Sequence, residues 1–165
     1  GGAISSDVNS EMFDKKGKSI VKSTAHYKCT GGIMMMDLKA MIPTQQAQQF
    51  KMDAKADNIY IEYPLNMKPG DNLKDASMTM EVNNNGMQQT LTINITNRKV
   101  EGKESLTTPA GTWDCYKITS KNKINMKMGP IGVPMNMDVT EWFAPGFGIV
   151  KTESKSGTTI ITSVK

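Results

Sequence analysis

At 165 residues, with 38% hydrophobic and 22% charged side chains, the chain is long enough to close one core, too apolar for disorder and too polar for a membrane protein. Its longest uninterrupted apolar run, 33–36, falls far short of the roughly 20 residues that span a bilayer. The net charge of +4 comes from lysines scattered along the sequence, and with Arg98 as the single arginine there is no cluster to clamp phosphates, so no nucleic-acid partner is expected.

In chain order, the sequence opens Gly1-Gly2-Ala3-Ile4 without methionine, as expected where a secretion signal has been removed; a lipid anchor ahead of Gly1 is left open. Period-two alternation predicts strands over 18–28 and 33–43, separated by Thr30-Gly31-Gly32. Only 44–50 could hold a helical turn, and it lacks a cap. A further strand is predicted over 58–63, before the turn formers Pro69-Gly70-Asp71.

Asn85-Gly86 suits the positive φ angles of a two-residue type I′ hairpin turn. Placing the turn there sets Val82 opposite Gln89, Met80 opposite Leu91, Met78 opposite Ile93 and Ala76 opposite Ile95. That face is apolar except beside the turn, whereas the pairs Glu81/Thr90, Thr79/Thr92 and Ser77/Asn94 make the other face polar. A second hairpin joins 121–128 to 133–142 through Gly129-Pro130-Ile131-Gly132. In it Ile124, Met126 and Met128 share a face with Val133, Met135, Met137 and Val139.

Strands over 112–120, 148–154 and 158–164 complete the pattern. One domain, 1–165, is therefore expected: an all-β single antiparallel sheet of about ten strands, curved into a barrel, a half-barrel like those of lipoprotein carriers, or a sandwich.

Recognisable chemistry is sparse. Cys29 and Cys115 have no Cys-x-x-Cys spacing, and a disulfide and two small buried thiols are equally compatible with them. His26, the one histidine, lies in a plain strand and is read as a partly exposed strand residue rather than a catalytic base. No phosphate loop, dinucleotide fingerprint or His-Glu-x-x-His motif occurs, so no catalytic residue, metal site or cofactor is assigned. Carboxylates that converge only in space would leave no such signature.

Two segments carry a family resemblance. The stretch 100–118 contains Pro109-Ala110-Gly111-Thr112-Trp113 and Cys115-Tyr116-Lys117-Ile118, and 141–151 contains Trp142-Phe143-Ala144-Pro145-Gly146-Phe147-Gly148-Ile149-Val150-Lys151. Together with Tyr63-Pro64-Leu65 and Lys68-Pro69-Gly70-Asp71, they resemble the TapB-like, domain-of-unknown-function group of exported bacterial proteins, with Trp113 where that group commonly has Phe. The resemblance covers roughly 60–155 and implies a β-rich fold, an exported location and no cofactor. It brings no activity and no catalytic residues. Physically, Gly146 and Gly148 would permit a bulge or sharp bend before Ile149 and Val150 rejoin the sheet.

Methionine is the unusual residue, at 14 against 4 phenylalanines. Met78 and Met80, Met126 and Met128, and Met135 and Met137 form Met-x-Met pairs, each with both side chains on one apolar face. Three readings compete. The thioethers fill core volume in place of leucine; or these six residues line a partly open concave face that holds an apolar small molecule, lipid or acyl chain; or Met126, Met128, Met135 and Met137 offer soft sulfur to Cu(I). The expected function is a non-catalytic, exported envelope protein, a binding or structural module in the periplasm or at the outer surface of a Gram-negative cell. A periplasmic carrier of an apolar ligand is the alternative, and an enzyme of undetected type comes third.

Overall fold

The computed structural model describes residues 3–41, 52–58, 60–84 and 87–164. Its strands are β1 (Ile4–Phe13), β2 (Ser19–Thr30), β3 (Ile33–Asp37), β4 (Met52–Asn58), β5 (Tyr60–Pro64), β6 (Ala76–Asn84), β7 (Met87–Thr108), β8 (Gly111–Met128), β9 (Ile131–Ala144), β10 (Gly148–Ser154) and β11 (Gly157–Ile160). The all-β expectation holds. One refinement concerns connectivity: the strands form two antiparallel sheets rather than one, ordered β1-β2-β3-β5 and β11-β10-β9-β8-β7-β6-β4. The chain changes layer between β4, which pairs with β6, and β5, which pairs with β3. Two layers let each sheet bury its apolar face against the other. Neither sheet closes on itself, so the shape fits a sandwich or half-barrel.

Both hairpin registers follow from local chemistry. β6 and β7 pair Val82 with Gln89, Met80 with Leu91, Met78 with Ile93 and Ala76 with Ile95, the expected register; Asn85 and Gly86 themselves lie outside the described residues. β8 and β9 pair Met128 with Ile131, so the second turn contracts to Gly129-Pro130, with Gly129 at a φ of 58°. Thr108 and Gly111 close a third two-residue turn around Pro109-Ala110, where the Thr108 hydroxyl accepts from Ala110 N–H and donates to Gly111 C=O.

Several strand limits differ from the expected ones. The 33–43 strand stops at Asp37 and turns into a 3-10 segment, Leu38–Met41; the 158–164 strand ends at Ile160; and 112–128 is one strand, β8. β1 and β4 were not expected at all. The helical turn considered over 44–50 lies outside the described residues.

β7 runs 22 residues only because it bends. Its pairing with β8 passes from Thr96↔Lys121 to Lys99↔Thr119, so Asn97 and Arg98 together oppose Ser120. Asn97 takes a φ of 52°, a left-handed conformation that Asn tolerates, and this bulge turns Arg98 into the interior. The expected bend after Gly146 also occurs: Gly146 and Gly148 have φ of 81° and 126°, and the β9–β10 register slips between Ile149 and Lys151.

The main core lies between the sheets. Tyr27, Met34, Met36, Leu38, Ile61 and Tyr63 from the first layer meet Met78, Met80, Ile93, Ile95, Val100, Tyr116, Ile118 and Phe143 from the second. Tyr63 stacks on Phe143 with ring centroids 4.3 Å apart. A smaller cluster of Cys115, Trp142, Ala144 and Val150 forms on the other face of the larger sheet, with Ile161 packed against it. Ile161 N–H donates to Val150 C=O and ties the end of the chain there.

Candidate functional site

On the inner face of the larger sheet an unbroken apolar patch runs across β6 to β9 at the hairpin end, because the β7–β8–β9 ladder keeps its alternation from Met128 back to Ile124 without a slip; further along β8 and β9 the same face carries buried Asn122, Ser120 and Glu141. One cross-strand row runs Met78, Ile93, Ile124, Met135; the next runs Met80, Leu91, Met126, Val133. Exposure climbs along both. Met78 and Met80 are each 1% exposed, whereas Met135 is 53%, Met126 48% and Val133 68% exposed. At the tip of the hairpin Met128 and Ile131 reach 50% and 70%. The four-stranded sheet packs over β6, β7 and the Tyr116, Ile118 and Phe143 part of β8 and β9, and leaves the hairpin end of β8 and β9, Met126 to Met135, open.

The six methionines singled out in the sequence thus fall into two environments. Met78 and Met80 lie in the closed core, Met126, Met128 and Met135 on the open end, and Met137 is half-buried with its sulfur accepting from the Ser156 hydroxyl at 3.6 Å. The sulfurs of the second hairpin are not set opposite one another. Met126 opposes Val133, Met135 opposes Ile124, Met128 opposes Ile131 and Met137 opposes Asn122.

A buried polar cluster, barely legible in the sequence, lies where the closed end meets the bend of β7. Arg98, 1% exposed, donates from Nη1 to the carbonyls of Glu62 (2.9 Å) and Lys74 (3.0 Å), and its guanidinium lies 4.8 Å from the Tyr63 ring centroid. Nη2 is 3.7 Å from Oε1 of buried Glu141. Among the described residues, Arg98 Nε and Nη2, Glu141 Oε1 and the Tyr63 hydroxyl have no partner at full hydrogen-bond geometry, although the Tyr63 hydroxyl and Arg98 lie close enough to the Glu141 carboxyl to influence its titration. Burial pushes the Glu141 carboxyl above its ordinary value, and Arg98 offsets part of that. Tyr27, which places its hydroxyl beside Gly148, is pushed up to about 12 by burial and then by Glu141. The cluster links β7 and β9 to β5 and the segment after it, so its chemistry is that of an inter-sheet tie. In the sequence only the single arginine marks the cluster; the left-handed Asn97 that turns it inward shows only in the fold.

The remaining candidates are peripheral. His26 Nδ1 pairs with Asp7 on the exposed β1–β2 face. Cys29 and Cys115 are both free, on different sheets, and burial, then Asp114 and Glu104, raises the Cys115 thiol to about 11. Among the described residues no three His, Cys, Asp or Glu side chains gather as a metal-holding group. On the outer face, Trp142 Nε1 donates to Glu104, with Lys151 Nζ 4.2 Å and Lys117 Nζ 5.5 Å from its ring.

A family model described as DUF3108-like matches residues 2–164. No curated protein matches the sequence. Two solved structures are similar. One, from Bacteroides fragilis and described as an exported protein with a YmcC-like fold, is 22% identical with a TM-score of 0.65, and the match covers 99% of this chain and 81% of that one. The other, from Parabacteroides distasonis and described as a lipoprotein, is 22% identical with a TM-score of 0.66, covering 99% of this chain and 79% of that one. At this identity the likeness concerns the fold.

Proposed function

This chain belongs to the DUF3108-like family, and we propose that it is a non-catalytic, exported envelope protein that binds an apolar ligand, an acyl chain or lipid, on the open end of its inner sheet face. The observation that carries this reading is the exposure of Met126, Met128, Ile131, Val133 and Met135 on one contiguous face. Large apolar side chains scattered singly are ordinary; five gathered on a face that elsewhere forms the core mark a contact surface. Flexible thioethers suit a chain of variable shape, and an acyl tail matches a surface offering few directional partners. Met78 and Met80 form the closed floor of the same face.

Export to the periplasm or outer surface is supported by the two structural relatives, described as an exported protein and a lipoprotein. A place beside the TapB-like group is part of this proposal, supported by the motif segments 100–118 and 141–151 with Tyr63-Pro64-Leu65 and Lys68-Pro69-Gly70-Asp71 upstream.

Single tryptophans introduced as Met126→Trp and Met135→Trp test the site. Titration with palmitate or phospholipid should blue-shift their emission saturably, with no change from the native Trp113 and Trp142. Unshifted emission from both probes at saturating lipid would sink the reading.

A further inference from the structure

β1 is an edge strand whose ten residues are all exposed, and among the described residues nothing pairs with its outer side. Such an edge presents a row of free backbone donors and acceptors, which proteins usually blunt with charged side chains, lysine above all, inward-pointing charge, proline or a bulge. β1 has no lysine, no proline, no charge on its inner face and no central bulge, and its two acids, Asp7 and Glu11, share the outer face. Its register with β2 runs unbroken from Ile4↔Cys29 to Met12↔Val21 and slips only at Phe13. Its acids are engaged on its own sheet: Asp7 pairs with His26, and Glu11 with Lys22 at 3.4 Å. The Asn9 side chain accepts from the Thr24 hydroxyl.

We propose that β1 is a homodimer edge, pairing antiparallel with β1 of a second copy about a two-fold axis through Val8. A two-fold perpendicular to the sheet keeps inner faces together, so each residue must oppose one of the same parity. Centring on Val8 uses the whole regular stretch 4–12. It sets Ile4 against Met12, Ser6 against Ser10 and Val8 against itself on the inner face, with Ser5 against Glu11 and Asp7 against Asn9 outside. No like charges meet. Moving the axis to Asp7 would oppose two aspartates, and moving it to Asn9 would oppose Asp7 and Glu11; centring on Ser6 or Ser10 shortens the ladder. Ile4, Val8 and Met12, now 72%, 40% and 39% exposed, would join into one covered apolar row. The ladder would be about 30 Å long with about eight to ten backbone hydrogen bonds, which suits a dimer of micromolar affinity.

Sedimentation velocity tests this through the self-opposed position. The wild type should show a concentration-dependent monomer–dimer equilibrium, and Val8→Lys and Val8→Glu should each weaken it at least about tenfold. An equimolar mixture of the two variants should restore the dimer, which loss of folding in either variant could not produce. A wild type that stays monomeric throughout the micromolar range overturns the proposal, as do single variants that dimerise unchanged or a mixture that fails to re-form the dimer.

Discussion

Met80 and Met126 lie in the same cross-strand row, two strands apart, yet one is sealed and the other is half open to solvent. Both follow the same Met-x-Met alternation. The difference comes from the four-stranded sheet, which packs over Met80 and stops short of the β8–β9 hairpin end that carries Met126. Equal chemistry on one sheet therefore does two jobs: at the closed end methionine is packing volume, and at the open end it is surface available for contact.

The closed end should be sensitive to truncation and the open end tolerant. The largest loss is expected at Arg98, because removing it leaves Glu141 buried without its cation and frees the Glu62 and Lys74 carbonyls. Urea denaturation of Arg98→Ala should show a loss of about 3–5 kcal/mol. A wild-type midpoint would mean that the tie between layers is not formed. Next, Met78→Ala should cost about 2–5 kcal/mol through lost burial and a residual cavity, while Met126→Ala should stay within about 0.5 kcal/mol of wild type. Equal losses at the two positions would erase the distinction between the ends.

A smaller effect concerns pH. Because Glu141 has a raised value in the folded state, the native protein binds its proton more readily than the unfolded chain does. Its contribution to stability therefore falls as pH rises from the ordinary carboxylate range toward the raised value, by at most about 1.4 kcal/mol per pH unit. Stability of Glu141→Gln minus that of wild type should grow with pH across that window. A difference that is flat, or that shrinks, would remove burial as the dominant influence on this carboxyl.

Much of this arrangement is legible in the sequence. The Asn85-Gly86 signal and the strict alternation of 76–95 fixed the facing and register of β6 and β7, because a slip of one residue would have exposed Met78, Met80 and Ile93 together. Facing is a local property. Depth is not: nothing near Met126 in sequence says that the covering layer stops short of it, since that layer comes from residues before position 65. β1 escaped notice for a related reason. Its apolar residues Ile4, Val8 and Met12 recur every fourth position, with serines at the same-face positions between them, so the period-two signal is diluted. As a single arginine, Arg98 speaks in the sequence only against nucleic-acid binding; its interior place depends on the bulge at Asn97, which the composition of a single strand does not announce.

Native mass spectrometry of the protein purified from its own envelope without refolding tests the open end most directly. Wild type should carry adducts of lipid or acyl-chain mass, and Met126→Lys/Val133→Lys, folded to the same urea midpoint, should carry none. A bare wild-type mass under conditions that preserve lipid on a control carrier, or adducts undiminished in the double variant, would contradict the assignment of this face.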